Sequence, residues 1–271
     1  MRKVKMIALA VSVMLAACVS AWGDVAINEA NFPDAVFREY VSSSIDKNPS
    51  DGMLSDEEIA DTTNIDVDSK NISSLKGIEY FTSLQSLACD YNRIISLDMS
   101  SNSQLQLLYC AGNQLTELDT SSNPRLQRLY CYHNQLAALD PSSNPRLQEL
   151  LCYNNQLTGL NVSNNLSLEY MDCSGNQLTS LDVSTNSQLG DLRCARNNLT
   201  ALDISSNSQL RRLYCDENNL TTLDLSSNTK LDYDDVFLSP QSLTLSLDTA
   251  ASPYTHSLTS PPIQQPSRAG Y

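Results

Sequence analysis

Apolar residues in the middle of the chain return at a fixed spacing of 21. From Leu84 the pattern reads Leu84-x-x-Leu87-x-Cys89-x-x-Asn92-x-Ile94, and it repeats seven times, through Lys230. Its Asn falls at 92, 113, 134, 155, 176, 197 and 218, and its Cys at 89, 110, 131, 152, 173, 194 and 215. Within each unit the second Leu and the Cys are two residues apart, so an extended segment turns both to one side and the residues between them to the other. A unit this short cannot bury its apolar positions alone. Neighbours must stack around a shared core, which predicts a solenoid with one short parallel strand per turn. At about 4.8 Å per strand, seven units make a sheet about 34 Å long.

The second half of each unit reads Leu-Asp-x-Ser-x-Asn, with Asp at 98, 119, 140, 182, 203 and 224 and Asn161 in their place in one unit. The ninth-place Asn column reads as structural, because a short amide satisfies backbone groups at the turn after each strand. Ile65, Val67, Ile72, Leu75 and Ile78 predict a degenerate first repeat over residues 63–83. The seven regular units occupy 84–230, residues 231–248 break the pattern as a C-terminal cap, and 249–271 is a Ser/Thr/Pro-rich stretch expected to be disordered.

The unit resembles the leucine-rich repeat L-x-x-L-x-L-x-x-N-x-L, with Cys in the third Leu place, and is similar to the short repeats of internalin-like bacterial surface proteins. The resemblance implies an α/β solenoid, a leucine-rich-repeat curved parallel β-sheet with a short helical N-terminal cap. It also implies an exported protein that binds a partner through the concave face of the sheet.

The first residues fit export. Arg2, Lys3 and Lys5 precede an apolar run from Met6 to Ala17, too short to span a bilayer core of about 30 Å, so residues 1–17 read as a signal peptide. Leu15-Ala16-Ala17-Cys18 resembles the lipobox of bacterial lipoproteins, which implies a lipid anchor on Cys18 and no other membrane contact. Ordinary cleavage after Ala21 or Gly23, giving a freely secreted protein, is the alternative.

Residues 24–62 form the helical cap. Pro33 stands early in a segment where Val36, Phe37, Tyr40 and Val41 recur at helical spacing. The next stretch resembles an EF-hand loop carrying one extra residue near Pro49 and Ser50. That resemblance implies calcium held by Asp46, Asn48, Asp51, the Met53 carbonyl, Ser55 and Glu58, with Gly52 at the sharp turn. The alternative is an acidic turn in which Ser55 and Glu58 form a capping box for a second short helix.

Composition narrows the function. Formal charge is −14, which excludes a nucleic-acid binder relying on phosphate neutralisation. Two His leave little for an enzyme built on a His base or a multi-His metal centre. His133 lies on the outward face without a Ser or Cys nucleophile and orienting carboxylate evident around it, and His256 falls in the tail, so no catalysis is expected. Of the eight Cys, seven stand in one inward column. A linear stack cannot place four ligands tetrahedrally around zinc, and seven cannot all pair, so buried thiols are expected.

If the third, fifth, seventh and eighth places of each unit point outward, seven of the twelve Tyr fall on one face. The candidate ligand residues are Leu107, Tyr109, Arg128, Tyr130, Tyr132, Leu151, Tyr153, Tyr170, Arg193, Arg212 and Tyr214. Tyr and Arg bury much area while keeping a hydrogen-bonding end, the chemistry of interface hot spots. A cross-strand Tyr ladder with no ligand is the alternative. The function expected is a non-enzymatic surface protein binding an extracellular protein partner through this face, as in an adhesin. A carbohydrate- or peptidoglycan-binding module and a self-associating structural module are the other readings.

Overall fold

The computed structural model describes residues 24–47, 50–239 and 243–246. The cap contains β1 (Val25–Ala26), α1 (Ala35–Ser44), β2 (Met53–Leu54) and α2 (Asp56–Asp61). The sheet of the solenoid begins with β3 (Asn64–Asp66). It continues through β4 (Ser86–Ala88), β5 (Leu107–Tyr109), β6 (Arg128–Tyr130), β7 (Glu149–Leu151), β8 (Tyr170–Asp172), β9 (Asp191–Arg193) and β10 (Arg212–Tyr214). Two short strands follow β11 (Thr222–Asp224), namely β12 (Val236–Phe237) and β13 (Thr244–Ser246). Cys18 and residues 249–271 lie outside the described residues, as does Asn48.

The architecture is a parallel-strand solenoid with little helix. Strands β3 to β10 pair in sequence order, all parallel, with β12 on the far edge of β10. Each regular pairing joins residues 21 apart, as in Leu108 to Leu129. On the opposite wall β11 and β13 pair in parallel, so the coil runs one turn beyond Lys230. The second Leu of each unit, replaced by Met171 in the fifth, and the Cys are buried, as the alternation requires.

The strands are three residues long, so of the four expected outward places only two are strand positions. Third and fifth places lie on strand, whereas the eighth is a turn residue with left-handed backbone: Tyr91, His133, Asn154, Arg196 and Glu217 have φ between 51° and 54°. Gly112 and Gly175 occupy the same place at 62° and 63°. The chain must reverse tightly to carry the next Asn into the core, and a single left-handed residue does this at some local cost.

Two columns of Asn hold the turns together. After the strand, Asn113 donates its Nδ2 to the carbonyls of Cys89 and Cys110 (3.0 and 3.1 Å), while its Oδ1 accepts from Ile94 N–H (3.0 Å). One side chain thus ties its own turn to the preceding one, and the pattern returns at Asn134, Asn176, Asn197 and Asn218. On the back wall Asn123 donates to the carbonyls of Met99 and Asn102, both at 3.0 Å. In this second column the Oδ1 atoms of Asn102, Asn123, Asn165, Asn186, Asn207 and Asn228 are buried without a hydrogen-bond partner. Asn144 differs, because Thr120 Oγ1 donates to its Oδ1 at 2.8 Å.

The seven Cys side chains are buried and in no disulfide among the described residues. Burial pushes the Cys89 to Cys194 thiols well above the ordinary range and Cys215 to about 12, so none is poised as a thiolate. The N-terminal end of the core is closed by the cap. Asp34 accepts from Val36 and Phe37 N–H at the start of α1, and its other oxygen accepts from Ser73 N–H and hydroxyl, joining helix to solenoid. Phe32 packs on Phe37, Tyr80 and Phe81. Gly77 lies beneath it, where an added Cβ would fall 2.2 Å from the Phe32 ring.

The Asn–Thr contact gives a paired test. Thr120→Val should orphan Asn144 Oδ1 and lower stability to urea by about 1 kcal/mol. Val183 holds the corresponding place beneath Asn207, so Val183→Thr should be neutral or stabilising despite its buried hydroxyl. A cost above about 1 kcal/mol for Val183→Thr would refute the geometry. In the folded protein the seven core thiols should resist iodoacetamide, and all should react in denaturant; rapid native labelling would contradict the buried column.

Candidate functional site

Register sorts the outward residues into columns. The third-place column runs Ser86, Leu107, Arg128, Glu149, Tyr170, Asp191, Arg212, and the fifth-place column runs Ala88, Tyr109, Tyr130, Leu151, Asp172, Arg193, Tyr214, with Phe237 continuing it on β12. Parallel pairing sets like places side by side at roughly 4.8 Å, so each side chain meets its counterpart on the next turn.

These columns divide the predicted residues into two patches. On β5 to β7, Tyr109 and Tyr130 meet edge to face with ring centres 4.8 Å apart, flanked by half-buried Leu107 and Leu151. Tyr132 and Tyr153, just past β6 and β7, stack at 4.4 Å with an interplanar angle of 6°. His133 sets its ring edge-on against both. Tyr91, omitted from the predicted site, reaches across the intervening turn to place its hydroxyl 3.3 Å from that of Tyr132, with its ring over Gly112. Its place before the ladder Asn was the available signal.

The second patch, on β8 to β12, is mixed. Arg193 lies over the rings of Tyr170 and Tyr214, 5.2 and 4.8 Å from their centres, and pairs with Asp191 at 3.1 Å. Arg212 pairs with Asp191 and Asp235, and Tyr214 stacks on Phe237 at 4.6 Å. Arg128 pairs with Glu149 at 3.0 Å, and the Tyr130 hydroxyl donates to the same carboxylate. All three predicted Arg therefore already have carboxylate partners within the chain. A ligand gains little from them as bare charges, and the aromatic area is what the first patch offers.

Burial raises the tyrosine hydroxyls above their ordinary range, Tyr153 to about 12, so these rings stay neutral donors near pH 7. Asp172 is buried, and its carboxyl is raised by burial against the Ser174 N–H bond. Asp90, beside the first patch, is pushed up to about 7 by burial, with the Asp68 and Asp66 charges adding to the effect against the Ala111 N–H bond.

The EF-hand-like segment adopts the capping arrangement. Ser55 accepts from Glu58 N–H, and Glu58 Oε2 accepts from Ser55 N–H and hydroxyl, starting α2. Glu58 Oε1 accepts from Lys47 N–H, Asp46 accepts from Asp51 and Gly52 N–H, and Asp51 accepts from Met53 N–H. Among the described residues no three His, Cys, Asp or Glu side chains gather as a metal site.

The fold defines a class, the leucine-rich-repeat solenoids, and residues 103–144 match the family of Leucine Rich repeats (2 copies). Internalin J of Listeria monocytogenes is 38% identical over 72 residues, which are 27% of this chain and 8% of that protein. The match thus spans under a tenth of the relative. The structure of internalin C2 from Listeria monocytogenes superposes with a TM-score of 0.69 at 20% identity, covering 82% of this chain and 97% of that one. A leucine-rich-repeat protein of Leptospira interrogans gives 0.65 at 25% identity, covering 70% and 52%. No helix among the described residues is long and apolar enough to cross a membrane.

Asp90 generates a pH dependence with a defined sign. Its folded pKa near 7 exceeds the ordinary value of 3.8, so the folded state holds a proton the unfolded chain has lost between about pH 4 and 7. Stability contributed this way is complete below pH 4 and is lost as pH rises through 7. Denaturation from pH 4.5 to 8 should show that loss, and Asp90→Asn should reduce it. An identical pH profile for the variant would exclude the assignment.

Proposed function

We propose that the protein is non-enzymatic and exported, and that it binds a protein partner at the bacterial surface through the aromatic patch of β5 to β7, in the manner of an adhesin. The observation carrying this reading is the cluster of Tyr109, Tyr130, Tyr132 and Tyr153 with Leu107 and Leu151, held by register on one side of a rigid sheet. Rigid Tyr side chains lose little entropy on binding and bring both apolar area and a hydroxyl, which suits a protein interface. Retention at the surface rests on Cys18 lipidation, with free secretion as the alternative.

The test is proximity crosslinking on cells with the purified protein and a variant carrying Tyr109→Ser, Tyr130→Ser, Tyr132→Ser and Tyr153→Ser. These rings are partly exposed, and circular dichroism with a thermal melt establishes that the variant is folded. Captured partner should fall about tenfold or more, the loss expected when hot-spot residues are truncated. Equal capture by both forms would sink the aromatic-patch reading.

A further inference from the structure

Beside the second patch the sheet carries a hollow of about 730 Å³ that the protein-binding reading does not use. It opens where the second place of the unit, Gln in β4 to β7 turns and Glu169 or Arg211 nearby, is Gly190. Gly190 needs neither left-handed backbone nor close packing: a Cβ there would meet only backbone oxygens at 3.7 and 3.9 Å, ordinary contacts. Its consequence is space. Tyr170, Gln188, Gln209, Arg193, Arg211 and Arg212 line that space together with the acids Glu169 and Asp191.

The chemistry of the lining selects a ligand. In a chain of charge −14 this spot sets three Arg against two acids, Glu169 and Asp191, and so carries a local positive excess. Asp191 is committed to Arg193 and Arg212, whereas exposed Arg211 has no carboxylate partner among the described residues. A guanidinium with its fork of donors open takes a carboxylate in two parallel bonds. Gln188 and Gln209 add amides, and because Gln209 Oε1 already accepts from Lys230, its N–H groups remain to donate. Glu169 can accept from hydroxyls, and Tyr170 contributes apolar ring surface. Its volume falls within the range of small-ligand sites, about 300–1,000 Å³.

We propose that the hollow over Gly190 binds a carboxylated sugar, its carboxylate on Arg211 and its hydroxyls on Gln188, Gln209 and Glu169. This site is separate from the aromatic patch and does not depend on it. The test is titration of the purified protein with D-glucuronate, D-glucose and acetate, followed by saturation-transfer NMR. Glucuronate should bind saturably and more tightly than either control. Gly190→Gln, which restores the side chain of the other turns in an unstrained position, should weaken it about tenfold or more, as should Arg211→Gln. Tyr130→Ser, in the other patch, should leave it unchanged. Equal binding of glucose, displacement of glucuronate by acetate at equal concentration, or undiminished binding in Gly190→Gln would each overturn the proposal.

Discussion

Everything in this solenoid depends on an asparagine that serves two turns at once. The ninth-place amide spends its N–H groups on carbonyls of its own turn and the preceding one, and its oxygen on a backbone N–H of the preceding turn. The bonds are buried, where an unmet backbone group is costly, so the spacing between turns has little freedom. Any insertion within a unit would carry its Asn out of reach of the turn before. That constraint explains why 21 recurs without exception from Leu84 to Lys230 while outward residues vary freely.

Fixed spacing turns sequence into columns, and columns decide what the surface can do. Like places stand one strand apart, so a Tyr following a Tyr becomes a ring pair, and an Arg beside an acid becomes an ion pair. The two patches arise this way. Tyr109 against Tyr130 and Tyr132 against Tyr153 build apolar area that projects no net charge, whereas Asp191 and Asp235 together offset Arg193 and Arg212 on β9 and β10. Exposed pairs of this kind add little stability, but they leave the three Arg of the expected site with little unpaired charge to offer a ligand.

The period, the inward Leu and Cys, and the clustering of Tyr were legible in the sequence because each follows from spacing. The left-handed eighth place was not, since Tyr91, Arg196 and Glu217 occupy it beside the types that favour it, Gly112, Gly175, Asn154 and His133, and so mask the signal. Tyr91 therefore read as one more strand residue, although its backbone sends its ring over Gly112 toward Tyr132. Arg128 with Glu149 and Arg212 with Asp191 follow from the 21-residue register, whereas Asp235, the other partner of Arg212, lies in the irregular cap, where no period predicts the neighbour. In the cap, Ser55 and Glu58 were read both as ligands and as a capping box, and the box is what their oxygens make here.

Glycine shows how far a repeat separates structure from function. Gly112 and Gly175 stand where the backbone is left-handed and where a Cβ would fall 2.5 Å from Tyr91 and 2.3 Å from the Asn154 side chain. Glycine at these two places lets the eighth-place side chain of the preceding turn, Tyr91 or Asn154, lean across. Gly190 has neither constraint. Its backbone suits any residue, its Cβ position is unobstructed, and the core beneath it is the same as in every other turn. Folding thus supplies no reason for glycine at 190, and the only property that changes with its side chain is the shape of the outer surface beside Arg211.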